Sequence, residues 1–474
     1  MSLNFSFDFG SAQQPERPDP GRAFRILMLA DFSARTNRDQ PANPTSRPVR
    51  TADLDTIEEL PAEFGTTVRT AAGLDIPLAE LDHLHPDELY RNVPVFAALR
   101  DLRKRLNDTS TFAGAAKEVA AMTDGPLAED ETAQAKADDF ASLLDSGFGS
   151  AGAPASPAID ALVRSAMAPH IVAAADPRKD ELVAAVDLAI SAQMRTILRD
   201  PAFAKTESAW LGLRRLITQL ELDDDLTLHA ADVSLADLAA DARDGGRGID
   251  ALLDGPARGE EPITLAVVHG MFDGSEASVR TLTALAAVGR RTGTAVVAGA
   301  HPRLLGTDSI ADTPDARDWH AGALGDAAAN WDALRAHQSA GSLALVAPRF
   351  LSRLPYGART DEVDAFDFEE RADDPAHGDH PWSPAGVLVA EAFGRAFRAQ
   401  GWSMPTSGAA RIDDLPVVAL PDGSMLPCAE AWVTESSAEA MLGRGVTPLL
   451  SVRGAGEAVL GPISAINREP LRWH

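Results

Sequence analysis

The feature that most constrains the fold of this 474-residue chain is a set of short apolar runs, separated by longer stretches with helical spacing. The runs cover residues 24–30, 264–268, 295–298 and 343–347. Apolar runs of this length are typical of strands buried on both faces, and a helical pattern at residues 279–291 lies between two of them. Buried strands that alternate with helices predict an α/β fold with some mixed α+β character.

Two further regions show the spacing of amphipathic helices. Residues 86–122 have apolar side chains at every third or fourth position, and residues 178–222 repeat this pattern. We expect two helices in the second region, because a helix that ends at Asp200 cannot continue through Pro201. The last part of the chain, residues 411–474, is rich in turns and short strand-like runs.

The composition divides the chain into four parts. A chain of 474 residues is too long for one ordinary hydrophobic core, so more than one folded unit is expected. Residues 124–177 are rich in Ala, Gly, Pro, Ser and acidic residues, and this composition is typical of a linker. The predicted parts are an N-terminal strand and connector at 1–23, a small α/β unit at 24–123, a linker at 124–177, and a larger α/β unit at 178–474.

Two short segments outside these units are candidates for contacts with other proteins. The first alternates apolar and polar residues, so it predicts a strand whose apolar face is formed by Leu3, Phe5, Phe7 and Phe9. The second is a short helix in the linker whose apolar side is formed by Phe140, Leu143 and Leu144. This helix is either a local hydrophobic tether or a docking peptide.

Charge and cysteine content argue against several classes of function. The chain has 70 acidic and 43 basic residues, and its formal charge of −27 would repel nucleic-acid phosphates and anionic lipids. The single cysteine, Cys428, excludes an intramolecular disulfide and fits a reducing compartment. The sequence has neither a signal-peptide pattern nor an apolar run of about 18 residues. We therefore expect a cytoplasmic protein that binds neither nucleic acid nor membranes.

The common motifs for nucleotide binding, zinc proteolysis and serine hydrolysis do not occur in the sequence. The best candidate metal site is His377, Asp379 and His380, because His and Asp at close spacing can bind one divalent cation. The alternative, which we favour, is a solvated loop. We predict no catalytic residue, no cofactor and no metal.

Two other candidates for chemistry have simpler structural explanations. His83 and His85 are either a pair of metal ligands or part of a loop that starts a helix at Pro86, and we favour the helix start. Cys428 is expected to be a small buried apolar residue rather than a nucleophile.

Several stretches resemble the sheath subunits of bacterial type VI secretion systems. The small sheath subunit is resembled by residues 24–35 (FRILMLADFSAR) and 85–106 (HPDELYRNVPVFAALRDLRKRL). The large sheath subunit is resembled, in the same order along the chain, by residues 190–217, 301–315 and 348–370. In the first of these three stretches, the residues that fall on the family's pattern are Glu207, Trp210, Gly212 and Leu213.

The resemblance implies a non-enzymatic structural subunit that self-associates around an inner tube, contacts baseplate components and works by mechanical contraction. In the family, the small subunit's N-terminal strand joins a sheet shared with neighbouring protomers, so residues 3–9 would act in strand exchange. The linker helix is similar to the helix that the family's AAA+ disassembly ATPase recognises. Glu207 and Trp210 would pack the small-subunit-like part against the large-subunit-like part.

The sequence departs from the family pattern in two ways. Small and large sheath subunits are usually separate chains, whereas here one chain carries both and fixes their ratio. The sequence also stops at His474, where the large subunit continues for a further helical region and the final strands of the shared sheet. An alternative hypothesis is therefore a non-polymerising adaptor, terminator or assembly factor at the baseplate, and a minor alternative is a metal-dependent hydrolase.

Overall fold

The computed structural model describes residues 21–36, 38, 41–123, 179–254, 262–320, 327–372, 375–420 and 423–473. Its strands are β1 (Phe24–Ala30), β2 (Val49–Thr51), β3 (Thr67–Arg69), β4 (Asp75–Pro77), β5 (Leu226–Asp232), β6 (Leu265–Phe272), β7 (Ala295–Ala300), β8 (Leu343–Ala347), β9 (Phe350–Leu351), β10 (Trp382–Ser383), β11 (Gly408–Ile412), β12 (Val418–Ala419), β13 (Met425–Leu426), β14 (Val446–Ser451) and β15 (Ala458–Ile463). Its helices are α1 (Leu60–Phe64), α2 (Pro86–Asn92), α3 (Pro94–Asn107), α4 (Phe112–Thr123), α5 (Lys179–Leu198), α6 (Pro201–Gln219), α7 (Leu235–Arg243), α8 (Arg247–Leu253), α9 (Glu276–Thr292), α10 (Ala327–Ala336), α11 (Gly386–Gln400) and α12 (Glu435–Gly443).

One nine-stranded sheet organises the described part of the chain, in the order β11-β15-β14-β8-β7-β6-β1-β5-β2. The six strands from β14 to β5 in this order are parallel. Antiparallel pairs flank them: β2 pairs with β5 at one edge, and at the other edge β15 pairs with β14 and β11 pairs with β15. Helices cover both faces of the sheet, so the predicted α/β fold with mixed character is confirmed.

Strand β1 shows why continuous apolar runs form the centre of this sheet. Ile26 and Met28 belong to the core on one face, whereas Leu27 and Leu29 belong to the core on the other. Because successive side chains of a strand point to opposite faces, a strand covered on both faces needs an apolar residue at every position. The other three runs form β6, β7 and β8 for the same reason, and these predicted strands are confirmed.

The two helix layers divide the helices between the faces. Helices α1–α6 and α11 contribute buried residues to the core beneath one face, which we call the first layer. Helices α7–α10 and α12 contribute to the other core and form the second layer. Within the ranges that the structure describes, no helix is long and apolar enough to cross a membrane.

The predicted break between two helices at Asp200 and Pro201 is confirmed. Asp200 is the N-cap of α6, and its carboxylate accepts hydrogen bonds from the backbone N–H groups of Ala202 and Phe203. Pro201 occupies the first turn, where its missing N–H leaves no hydrogen bond unmade. The same carboxylate accepts a hydrogen bond from Ala71 N at 2.7 Å, so this cap also joins α6 to an early part of the chain.

The sheet combines strands from both sides of the predicted linker. Strand β1 lies between β5 and β6, which both follow the linker in sequence. Strand β2 pairs with β5 on its outer side. The predicted linker, residues 124–177, lies outside the described residues, and the four-part division of the chain stays a prediction.

A buried histidine lies in the middle of this fold. His269 is on β6, and its Nε2 atom is 3.2 Å from Ser208 Oγ and 3.3 Å from Ser383 Oγ. Burial, with a smaller contribution from the Lys205 ammonium group, lowers the pKa of the imidazole to about 3. His269 is therefore neutral in the folded chain at neutral and mildly acidic pH.

We expect this histidine to make the protein less stable in acid. In the unfolded chain the imidazole binds a proton near its ordinary pKa of 6.5, whereas the folded chain does not until the pH falls to about 3. The free energy of unfolding is therefore highest above pH 6.5. It falls between pH 6.5 and about pH 3, by up to about 1.4 kcal/mol per pH unit. Urea unfolding at a series of pH values gives the free energy of unfolding as a function of pH. Between pH 6.5 and pH 3 this free energy should fall less steeply for His269→Gln than for the unmodified chain.

The matched control is His320→Gln, because His320 is exposed. This variant should keep the slope of the unmodified chain. Equal slopes for the two variants would contradict the assignment of a neutral, buried His269.

Candidate functional site: a buried internal junction

Trp210 lies at the contact between the early part of the chain and the part after the predicted linker. We call this contact, together with the buried charge clusters around it, the junction. Its indole Nε1 donates a hydrogen bond to the backbone oxygen of Phe32 at 3.1 Å. Its ring centroid is 4.8 Å from that of Phe32 and 5.9 Å from that of Phe64. Trp210 and Phe32 are fully buried, so these aromatic rings exclude water from the contact.

Gly212 allows α6 to lie close to the sheet beside Trp210. A Cβ atom at Gly212 would stand 3.2 Å from Val387 Cγ2 and 3.3 Å from Met28 Cε. Both distances are shorter than ordinary van der Waals contacts, so a larger side chain would push α6 away from β1 and α11. The glycine is therefore a packing requirement of this junction.

A first group of buried charges, which we call the strand-end cluster, joins the segment that follows β1 to the end of β5 and the first turn of α7. The carboxylate of Asp232 accepts hydrogen bonds from Ser33 N at 3.0 Å and Ser33 Oγ at 2.8 Å, and it forms an ion pair with Arg47. Arg35 forms an ion pair with Asp237, which also accepts a hydrogen bond from Ala42 N at 2.6 Å. Each aspartate thus binds both backbone and side chains of the early segment.

The pKa of Asp237 reflects these contacts. Burial alone would raise the pKa of this carboxyl group, but the hydrogen bonds from Arg35, Ala42 and Ser234 lower it below its ordinary value. Asp237 is therefore ionised at neutral pH, and it completes a capping box with Ser234 at the start of α7.

A second group, the buried arginine cluster, consists of Glu207, Arg353, Tyr356 and Glu370. Arg353 Nε donates to Glu207 Oε1 at 2.8 Å, and its two Nη atoms donate to the Glu370 carboxylate at 2.8 and 3.2 Å. The guanidinium carbon lies 4.1 Å from the centre of the Tyr356 ring. Tyr356 N donates to Glu370 Oε2 at 2.8 Å. The guanidinium is thus bound in its plane by two carboxylates and packed on one face by an aromatic ring.

Burial governs the protonation of this cluster. Burial raises the pKa of Glu207, while Arg353 acts in the opposite direction. Burial by itself would lower the pKa of Arg353, but the carboxylates of Glu207 and Glu370 raise it well above its ordinary value. The guanidinium therefore stays charged, and the two glutamates depend on it for compensation in a site shielded from water.

The segment that carries Arg353 and Glu370 is held from two directions. The Asp87 carboxylate, at the start of α2, accepts hydrogen bonds from Asp364 N at 3.2 Å and Ala365 N at 2.8 Å. From α5, Arg195 donates to the backbone oxygen of Glu369 and Arg199 to that of Glu370. The arginine cluster thus combines two stretches that resemble sheath subunits, at 190–217 and 348–370, and Asp87 of a third, at 85–106, holds the segment that carries it.

Of the residues named from the sequence, Glu207 and Trp210 fall at this junction. Trp210 contacts Phe32 and Phe64, which precede the predicted linker, whereas Glu207 binds Arg353, which follows it. Their role in packing between two subunit-like parts stays a prediction. The residues named for strand exchange and for ATPase docking lie outside the described part of the chain: Leu3, Phe5, Phe7, Phe9, Phe140, Leu143 and Leu144.

The histidines considered as metal ligands have other partners. His380 contacts Arg371 and the backbone oxygen of His377, and the Asp379 carboxylate accepts a hydrogen bond from Ala376 N at 3.2 Å. His85 Nδ1 accepts from Asp87 N at 3.2 Å and caps α2, so the predicted helix start is confirmed. In the described ranges, no group of three or more His, Cys, Asp or Glu side chains is arranged to hold a metal ion.

Cys428 is buried, as predicted. Burial raises the pKa of its thiol, which disfavours the thiolate that nucleophilic attack requires. Its Sγ atom lies 3.2 Å from the backbone oxygen of Glu457.

Sequence reasoning did not find the partners that make the junction. Arg353 lies within a stretch that stands out only by its resemblance, and nothing in the sequence singles out Asp232 or Asp237. The sequence carries only a weak signal for the arginine cluster. Arg353 and Glu370 are 17 positions apart, and no local pattern indicates that they form an ion pair. Partners so far apart are fixed by the tertiary fold and cannot be read from spacing.

Comparison with known proteins gives two matches. Residues 180–466 match the model of the VipB family, described as EvpB/VC_A0108, tail sheath N-terminal domain. The chain is also 28% identical over 347 residues to the type VI secretion system sheath protein TssC1 of Pseudomonas aeruginosa. That alignment covers 68% of this chain and 70% of the relative.

Replacing Arg353 should test how far the junction depends on the buried arginine cluster. We expect Arg353→Met to lower the free energy of unfolding by about 3–5 kcal/mol, because two carboxylates are left buried without a cation. The loss should be smaller at pH 5 than at pH 8. Without Arg353 the pKa of Glu207 rises further, so the folded chain binds a proton in acid that it releases as the pH rises.

Urea unfolding at both pH values measures this effect. Arg411→Met is the control, because Arg411 pairs with Glu457 at the surface and such pairs contribute about 1 kcal/mol or less. Equal losses for the two variants would show that the buried cluster does not support the junction.

Proposed function

The chain belongs to the VipB family of tail sheath proteins, as a TssC-like structural protein rather than an enzyme, and we propose that it forms a type VI secretion sheath around an inner tube. Its work would be mechanical, through contraction of the assembled sheath. The observation that carries this proposal is the family match over residues 180–466, which covers the sheet from β5 onwards and the second half of the junction. A hydrolase function of His377, Asp379 and His380 is not compatible with this family.

Residues 24–123 would act as a built-in small-subunit-like part. The position of β1 between β5 and β6 supports this proposal, because the part of the chain that matches the family could not complete its sheet without it. The strand-end cluster and the contact between Trp210 and Phe32 also support it. One chain would then supply both halves of the protomer in a fixed ratio.

Strand exchange would link neighbouring protomers. The alternating segment with Leu3, Phe5, Phe7 and Phe9 would leave its own protomer and join the sheet of another. Strand β11 supports this proposal, since it forms an edge of the described sheet and its outer backbone groups have no partner strand within the described ranges. An incoming strand could bind there through main-chain hydrogen bonds.

A stiff protomer suits a contractile assembly. In such an assembly the stored free energy is released when subunits move between two packings, and this needs bodies that rotate without deforming. The two buried charge clusters support this role, because they fix the early segment, α6 and the segment 352–371 with directional hydrogen bonds. Deformation at these contacts would expose buried charges without partners.

Other partners follow from the same proposal. An inner-tube protein and baseplate components would contact the assembled sheath. Phe140, Leu143 and Leu144 would form the helix that a AAA+ disassembly ATPase recognises. No binding of nucleic acid and no insertion into a membrane is proposed, and the site of action would be the cytoplasm.

Electron microscopy of the purified chain, alone and with the cognate inner-tube protein, tests the proposal. We expect hollow tubes or stacked rings, and we expect them to disappear when residues 1–10 are deleted or when Phe5 and Phe7 are replaced by Ser. Replacing Ser6 by Ala is the matched control, because Ser6 lies on the opposite face of the predicted strand.

Uniform small particles from the unmodified chain under every condition would contradict self-assembly into a sheath. That outcome would favour the alternative of an adaptor, terminator or assembly factor at the baseplate. If the variant with both Phe5→Ser and Phe7→Ser still forms tubes, the proposed sheath function stands and strand exchange is contradicted.

A further inference from the structure

A cleft of about 610 Å³ opens beside the buried arginine cluster. Its walls are the turn and helix at residues 81–91, the outer side of α6, the segment 352–364 and Asp414. All of these elements belong to the face of the sheet that the first helix layer covers. The strand-exchange proposal does not involve this cleft.

Most charged groups in the cleft wall already have partners. Arg353 is held by two glutamates, Arg215 binds the buried Glu391 with its Nε 2.8 Å from Oε2, and Arg91 pairs with Glu88. The Asp87 carboxylate accepts two backbone hydrogen bonds, and Asp414 accepts one from Gln219. These groups stabilise the wall, and their charges are largely neutralised by their partners, so they contribute little to binding a ligand.

The remaining charged groups are mainly acidic. Asp82, Asp361 and Asp364 are exposed in the wall, and none of them forms an ion pair with a described lysine or arginine; the His85 Nε2 atom lies 4.0 Å from Asp361 Oδ1. Arg214 is the exposed guanidinium of the wall that forms no ion pair with a described residue. Three carboxylates against one guanidinium give the cleft a negative potential that favours a cationic occupant.

Tyr356 provides an independent indication of a ligand. This residue is 6% exposed and lines the cleft, and its hydroxyl group makes no hydrogen bond to any described residue. The hydroxyl oxygen is not fully enclosed by the protein, so it is reachable from the cleft and could accept a hydrogen bond from an incoming N–H group. The ring is fixed by Arg353 on one face and by His85 edge-on at 5.0 Å, and Gly357 N donates to Asp361 O at 2.8 Å. The acceptor is therefore held in place before binding.

The opposite side of the protomer carries a cationic surface of the required kind. Arg243 ends α7 and Arg247 begins α8, and the short turn between them brings the two helix ends together. Both arginines are exposed and form no ion pair with a described residue, and Asp244 is the one acidic residue of the turn. Helices α7 and α8 belong to the second layer, so these arginines and the cleft lie on opposite faces of the sheet.

We propose that the cleft receives the arginines of the α7–α8 turn from a second copy of this chain. Because donor and acceptor surfaces lie on opposite faces, the contact is head-to-tail, and such contacts generate rings or helical filaments instead of closed dimers. The inference rests on the proposed sheath function and adds to it a second, electrostatic contact between protomers. This contact is screened by salt, whereas strand exchange through backbone hydrogen bonds is not.

Charge reversal with mixing tests the pairing directly. One variant of the full chain carries Asp361→Lys and Asp364→Lys, and the other carries Arg243→Glu and Arg247→Glu. Each variant alone places like charges together, so the concentration needed for assembly should rise about tenfold or more at low salt. An equimolar mixture should assemble like the unmodified chain, because every contact in an alternating filament is again between opposite charges.

Two controls define what the result means. Glu362→Lys with Asp367→Lys changes the net charge equally in the same segment, but neither residue lines the cleft, and assembly should be unaffected. Arg214→Ala should leave assembly equal or stronger, because it removes the unpaired positive charge from the cleft. Circular dichroism of each variant verifies that it folds.

The outcomes separate this inference from the proposed function. Normal assembly by both reversal variants, or no recovery in the mixture, would overturn the pairing while the sheath function stands. Weaker assembly of Arg214→Ala together with stronger assembly of the cleft variant would show that the occupant is an anion and would also overturn it. Failure of the unmodified chain to assemble under every condition would overturn both proposals.

Discussion

The placement of β1 is the constraint on which the rest of the molecule depends. This strand lies between β5 and β6, and both neighbours are separated from it by most of the first half of the chain. Each helix layer covers alternate side chains of β1, so both cores contain residues from it. Pairing over such a sequence distance costs more chain entropy than local pairing, and it forms late and slowly unless other contacts support it. The junction supplies those contacts.

The junction uses charge in a way that favours specificity over stability. A buried ion pair contributes little net stability, because the cost of removing its charges from water nearly cancels their attraction. However, any alternative arrangement of the chain that separates the two partners leaves a buried charge without compensation, and this costs free energy. In open parallel sheets, ligands commonly bind outside the carboxyl end of the strand where the chain order reverses, which here is β1. The chain places Phe32, Arg35 and Trp210 at this position, so what is often a binding crevice serves here as a joint.

Local features of the sequence predicted the parts of this structure that local physics determines. Strands β1, β6, β7 and β8 were visible because burial on both faces requires unbroken apolar runs. The break between α5 and α6 was visible because Asp200 caps a helix and Pro201 starts one. The burial of Cys428 and the role of His85 at a helix start followed from the residues beside them.

The sequence did not reveal what depends on distant partners. The order of the sheet, with β1 inside the region that follows the linker, requires knowledge of which strands pair. Strands of two or three residues, such as β9 and β12, carry too few side chains for a periodic signal. Trp210 was noted because it falls on a family pattern, but Arg353 could be assigned a role only after the fold brought Glu207 and Glu370 to it.

The registered pairing of β1 also determines how the protomer would respond to a pulling force. All seven residues of β1 are paired with β5, and four of them are paired with β6 on the other side. A load along the strand axis acts on both ladders in shear, so many hydrogen bonds resist together and none can open alone. A load across the sheet would instead open one ladder bond after another, as a zipper does. The protomer is therefore mechanically anisotropic, and its strong axis is the direction of its six parallel strands.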